Sequence, residues 1–180
     1  MSDEFDDYID WAQFGDDWTV IGAELETNQG RSNGENVDFT ITRPLQLVKL
    51  TQGKRDNWRG NFNTGEAVLY TNHLPGPISI TFDPPVRSLR TQVQINEIPG
   101  QDADPIPFKA TMTSFDSAGS RLKTTSRQGS SDSASDGSAV AVQLFADGSR
   151  RIKRVEIRVK GTADGEHDND FAINRIDLKT

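Results

Sequence analysis

Near its end the chain reads GEHDNDFAINRIDL, residues 165 to 178, with Glu166, Asp168, Asp170 and Asp177 set around a short apolar strand. Asp164, Glu166, Asp168 and Asp170 alternate, so an extended backbone turns all four carboxylates to one side. Two carboxylates about 6 Å apart repel by about 3 kcal/mol at an effective dielectric of about 20. A hard cation with a preference for oxygen, calcium above all, would offset that repulsion. Water and salt around a curled turn, with His167 and Arg175 close by, would also do so. The residues admit both readings, but they exclude an EF-hand. A loop begun at Asp164 puts Asn169 where glycine is required and Arg175 where the bidentate glutamate belongs.

A second stretch suits a different chemistry. In KRDNWRGNF, Trp58 is flanked by Asn57, Arg59 and Asn61, so an indole face for a pyranose ring stands among amides and a guanidinium that could bind hydroxyls. The competing reading has Trp58 and Phe62 covering one end of the core. Trp11 and Trp18 lie in an amphipathic opening, where packing as a plug on the core is the expectation.

Other classes lack support. There is no Gly-x-Ser-x-Gly elbow, no His-Glu-x-x-His and no phosphate-cradling glycine loop, and there are two histidines, His73 and His167. A carboxylate pair about 5 to 9.5 Å apart could hydrolyse a glycoside, but sequence cannot locate one, and the expectation is a protein that is not an enzyme. Without cysteine there is no disulfide, thiolate metal site or cysteine nucleophile. A net charge of -7 argues against nucleic acid as a partner, since binding phosphates needs a positive surface. The basic run Arg150, Arg151, Lys153, Arg154 has no aromatic platform and reads as a solvated strand entry. No stretch nears the roughly 20 apolar residues that span a bilayer, and the acidic start is unlike a signal peptide. The expectation is a protein without membrane insertion, cytoplasmic as written, or extracellular if trimmed or released in a particle.

These groups must be positioned by strands. Apolar residues recur with period two in VDFTI, ISITF, VQI and VEIRV, separated by turn formers such as TQGK, LPGP, DPP and ADGSR. Strands are expected at about 19–26, 37–42, 45–50, 66–71, 78–82, 89–96, 107–115, 121–126, 139–146, 152–160 and 171–178, and no segment of helical length shows a 3.6-residue apolar face. So many strands predict an all-β, two-sheet antiparallel sandwich of jelly-roll type, with an up-and-down barrel as the alternative. In FAINRIDL the apolar set slips by one across Asn174 and Arg175, and a β-bulge there keeps Phe171, Ile173, Ile176 and Leu178 in the core. Residues 1–18 read as an N-terminal arm and 19–180 as one sandwich domain. Within it the Ser-rich stretch 124–138 reads as a mobile loop, either a disordered insertion or a lid.

Taken in order, YIDWAQFG, DNWRGNFNTGEAVLYT, GPISITFDPPVRSLRTQVQI, FKATMTSFDSAGSRL, SDGSAVAVQLF and DFAINRIDL resemble a bacterial family of jelly-roll domains found in secreted and PEP-CTERM-anchored proteins. As written, the chain is expected to depart from that family, without its export signal and C-terminal anchor. The resemblance implies a β-sandwich similar to carbohydrate-binding modules, with a calcium ion held by an acidic residue at the start of the last strand and by groups from the first strand. By that match Asp170 is the best ligand, with Glu24 and Glu26 of GAELET as partners and Asp168 beside it. The function expected is a lectin-like module that binds glycan or another surface through loops of a calcium-stabilised sandwich. The alternative is a structural subunit of a virus-like or contractile particle, self-assembling through edge strands and the N-terminal arm. An arm folded on its own sandwich favours the binder.

Overall fold

The computed structural model describes residues 4–22, 28–42, 46–53, 60–96, 104–131, 139–146, 150–162 and 167–180. Two antiparallel sheets pack face to face. The larger holds β1 (Asp7–Ile9), β2 (Val20–Ile21), β5 (Leu47–Thr51), β6 (Ala67–Tyr70), β8 (Ser88–Ile95), β11 (Val140–Phe145), β14 (Phe171–Ile173) and β15 (Ile176–Lys179). The smaller holds β3 (Gln29–Arg31), β4 (Asp38–Ile41), β7 (Ile78–Val86), β9 (Ile106–Phe115), β10 (Arg121–Ser131), β12 (Ile152–Gly161) and β13 (His167–Asp168).

The period-two pattern becomes the core. Ile78, Ile80 and Phe82 of β7, Phe108, Ala110 and Met112 of β9, and Val155, Ile157 and Val159 of β12 face Leu89, Val93 and Ile95 of β8, and all are buried. A smaller apolar layer covers the other side of the larger sheet, where Val48, Leu50, Phe62, Val68, Tyr70, Ala139 and Ala172 pack together. Strands β6 and β14 are therefore apolar on both faces, while β5 sets Val48 and Leu50 in this layer and Leu47, Lys49 and Thr51 on its other face.

The last strand breaks where the apolar pattern slips. Phe171 pairs with Ile95 and Ile173 with Val93, but Leu178 then pairs with Leu89, one residue out of step. The extra residue sits at Asn174 and Arg175, and Phe171, Ile173, Ile176 and Leu178 are all fully buried, as the bulge requires. On the side away from β8 the broken strand meets β6 along β14 and β1 along β15.

Two expectations are corrected. Residues 4–18 are part of the sandwich, not an arm: β1 pairs Asp7 with Leu178 and Ile9 with Ile176, and Trp11 is buried in a short 3-10 turn, Trp11–Phe14, capped by Asp10. The Trp11 ring meets Phe39 edge-on at 5.9 Å, and its Nε1 donates to the Asn174 carbonyl at 2.7 Å. Trp11 is the plug the sequence suggests, but Trp18 is not, because it is 50% exposed. The second correction concerns the Ser-rich stretch. Residues 124–131 belong to β10, paired with β9 from Arg121 to Ser131, while 132–138 lie outside the described residues. Low hydrophobicity does not preclude a strand with a solvated face: Thr111 bonds Ser126 at 2.9 Å and Thr113 bonds Thr124 at 3.1 Å, hydroxyl to hydroxyl across the pair.

Candidate functional site

The bulge re-aims the side chains around it. Because Asn174 and Arg175 leave the ladder, their polar atoms are free to organise neighbours on three strands. The Asn174 backbone N–H donates to the Gln92 carbonyl at 3.2 Å, and the Gln92 N–H donates back to Asn174 Oδ1 at 2.8 Å. Asn174 Nδ2 donates to Gln92 Oε1 at 2.8 Å and to Glu66 Oε2 at 3.4 Å. Glu66 closes the turn after Phe62 by accepting from the Asn63 backbone and amide at 3.1 and 3.2 Å. The turn and the last strand are thus tied into one rim.

Asp177 lies beside this rim and is held between two guanidiniums. Arg90 donates to its Oδ2 from Nη2 at 2.6 Å and Nε at 3.1 Å, and Arg175 Nε lies 3.0 Å from its Oδ1. Both cations are also placed over rings, Arg90 over Phe5 at 4.8 Å and Arg175 over Tyr8 at 5.1 Å. The N-terminal strand therefore helps position the site.

Around these groups lie three depressions that all reach Arg175. One of about 280 Å³ is lined by Asn63, Glu66, Arg90, Gln92, Asn174 and Asp177 among others. A second, of about 490 Å³, runs past Glu66 to Thr51, Lys49 and Asp10. A third, of about 510 Å³, runs past Asp177 to Tyr8 and Phe5. They meet at Arg175, where the amides, guanidiniums and carboxylates bond to one another. Such groups donate to and accept from a ligand carrying many hydroxyls.

The residues nominated by sequence fall elsewhere. Asn57, Trp58, Arg59, Glu24 and Glu26 lie outside the described residues. Asn61 is 2% exposed; its Oδ1 accepts from Gln94 Nε2 and its carbonyl accepts from the Ala139 N–H at 2.9 Å. It anchors the loop by bonds that a ligand would have to displace. Phe62 beside it is buried in the smaller apolar layer. Asp168 is exposed on β13, opposite Lys160.

Asp170 belongs to a separate polar cluster at the end of β6. Its Oδ2 accepts from the Tyr70 hydroxyl at 2.8 Å and from Asn96 Nδ2 at 3.0 Å, with His73 Nδ1 at 3.5 Å. Burial raises the Tyr70 phenol well above its ordinary value, and the Asp170 carboxylate adds to that, so Tyr70 stays a donor. Asn72 and His73 both take left-handed φ, 52° and 59°, in the turn that places the imidazole. Among the described residues no three His, Asp or Glu side chains gather to hold a metal ion.

Sequence reading passed over Asn63, Glu66, Arg90 and Gln92 as site residues and took Asp177 only as one of the acids around the last strand. One signal was present, the register slip at Asn174 and Arg175, because bulges commonly sit where a strand must re-aim a side chain.

No family model and no curated protein matches the chain. Among solved structures, a DUF4465 family protein from Bacteroides caccae is similar with a TM-score of 0.55 and 11% identity, over 98% of this chain and 100% of that one. This likeness shows the fold. The enzymatically active domain of bacteriophage CBA120 tailspike protein 4 matches at a TM-score of 0.35 and 14% identity, over 86% of this chain and 20% of that one. The CBM22-1 xylan-binding domain of Paenibacillus barcinonensis Xyn10C matches at 0.27 and 12%, over 92% and 97%. The sandwich expected from the motif resemblance is present, and no specific family is shown.

Proposed function

We propose that this sandwich is a non-catalytic recognition module that binds a glycan along the groove centred on Arg175. The observation that carries the reading is the convergence of three depressions on that one guanidinium, amid amides and carboxylates already held in place. Preorganised polar groups lose little freedom on binding, which favours a weakly hydrophobic, hydroxyl-rich ligand. A ligand contact through Asn57, Trp58 and Arg59 is a further part of the proposal, tested by Trp58→Ala on the same glycan. A broad glycan array is the test. Hits should be lost in Arg175→Ala and weakened in Asn63→Ala at unchanged melting temperature, and an array without hits would withdraw the reading.

Assembly through a free N-terminal arm is disfavoured by β1, which pairs with β15 of its own sheet. Light scattering should accordingly find a monomer or small closed oligomer. A calcium ion at Asp170, with Glu24, Glu26 and Asp168, is a further part of the proposal. The Tyr70 and Asn96 donors converge on Oδ2, with His73 Nδ1 3.5 Å away, so a cation would use Oδ1. Calcium at ~100 times its dissociation constant should add about 2.7 kcal/mol, or about 5 to 11 °C. Melts that coincide with and without chelator would remove the ion.

A further inference from the structure

We infer that the end of the sandwich where β12 begins is a second binding surface, one that takes an acidic polysaccharide. The inference goes beyond the groove reading and does not depend on it. From sequence the run Arg150, Arg151, Lys153, Arg154 reads as a solvated strand entry, but the fold sets two more arginines beside it. Ile152 pairs with Val86, which brings the Arg151 backbone alongside that of Arg87, and the Arg87 carbonyl accepts from the Ala146 N–H at 2.8 Å. Arg154 pairs with Phe115, and Phe115 with Arg121, so these three form one row on one face of β12, β9 and β10. From Arg87, just past β7, to Arg121 the surface crosses four neighbouring strands, three spacings or about 14 Å.

The acids at this end are already engaged. Lys153 Nζ donates to Asp83 Oδ1 at 2.9 Å, and Arg154 pairs with Glu156 while its guanidinium lies 3.8 Å over the Phe115 ring. Asp116 closes its own turn, its Oδ1 accepting from the Ala118 and Ser120 N–H groups at 3.0 and 2.9 Å. Arg87, Arg121 and Arg150 are exposed and Arg151 is half-buried, and none of the four has an acid partner among the described residues. Four uncompensated guanidiniums thus gather at one end of a chain whose net charge is -7. Such a patch draws in an anion that the rest of the surface repels.

The chemistry of the patch selects the class of anion. A guanidinium is a planar fork that holds an oxyanion through two parallel hydrogen bonds. Forks spread over about 14 Å suit a polymer whose charges are spaced by sugar rings. A nucleic-acid duplex carries one charge per about 1.7 Å, and the acidic remainder of this molecule repels so dense a chain. A membrane surface would call for apolar side chains among the cations. The exposed large hydrophobics among the described residues are Trp18 and Leu74, which belong to the turns before β2 and after β6.

The probes are dextran sulfate and oligogalacturonate, titrated by calorimetry at low and physiological salt. They are tested on the parent, on Arg175→Ala and on two double variants, Arg87→Ser with Arg150→Ser and Arg121→Ser with Arg151→Ser. At least one probe should bind the parent, and each double variant should bind it about 10-fold more weakly and with a shallower salt dependence, while Arg175→Ala binds like the parent. Arg87 and Arg150 are exposed and lie outside the strands, so their double variant should melt with the parent, and its result stands whatever the other pair does to stability. Binding of neither probe overturns the inference, and so does parent-like binding by either double variant. A loss in Arg175→Ala as large as in the double variants would overturn it by moving the polyanion to the groove. If a DNA duplex or phosphatidylglycerol vesicles bind more tightly than both polysaccharides, the proposed ligand class is overturned.

Discussion

Asn174 uses its backbone and both side-chain ends at once. Its carbonyl accepts from Trp11 and Thr91, its Oδ1 from the Gln92 N–H, and its amide donates to Gln92 and Glu66. Asn174→Ala leaves the half-buried Gln92 N–H unpaired and should cost about 1 to 3 kcal/mol, a fall of roughly 2 to 12 °C in a thermal melt. Asp7 does similar work between the sheets. Burial alone would raise its carboxyl, but donors from Ser32 at 2.5 Å, Gly34 at 2.7 Å, Tyr8 and Asn36 outweigh that and hold it below the ordinary value. A depressed folded value adds stability above the unfolded value of about 3.9 and loses it as pH falls through the folded one. Asp7→Asn should therefore destabilise at pH 7, with a gap to the parent that narrows below about pH 4. A gap that widened on acidification would contradict the assignment.

At the scale of elements, most strands were legible because one apolar face alternates with one solvated face. The bulge was legible for the same reason, since Phe171, Ile173, Ile176 and Leu178 fit one core only with a slip. Strand β1 was not: DYI is three residues long in an acidic run, and Asp7 reads as solvated until Ser32, Gly34 and Asn36 arrive from another sheet. Strand β7 was read as ending at Phe82, yet it continues through Pro84 and Pro85 to Val86, where its pairing with β12 shifts register and spares the missing N–H groups. The far half of β10 was hidden by its polarity. There Gly129 has a specific part, since a Cβ on it would lie 2.1 Å from Val140 Cγ2 and 2.7 Å from Phe108 Cζ. Gly129→Ala should thus cost about 1 to 3 kcal/mol by overpacking, measured by urea unfolding, whereas a substitution at a mobile loop would cost nothing.

For the whole molecule, topology decides what sequence could not. Asn63 and Glu66, Arg90 and Gln92, and Asn174, Arg175 and Asp177 come from three distant segments, and no spacing rule links them. They meet because β8 lies beside the broken last strand and the turn before β6 closes on the bulge. A net charge of -7 disfavours a polyanionic ligand at the proposed site. The measurement that tests that site most directly is an amide NMR titration with the strongest neutral glycan hit. The account predicts shifts concentrated at Asn63, Glu66, Arg90, Gln92 and Arg175. Shifts confined to the outer face of β9, β10 and β12, or none at saturating glycan, would contradict it.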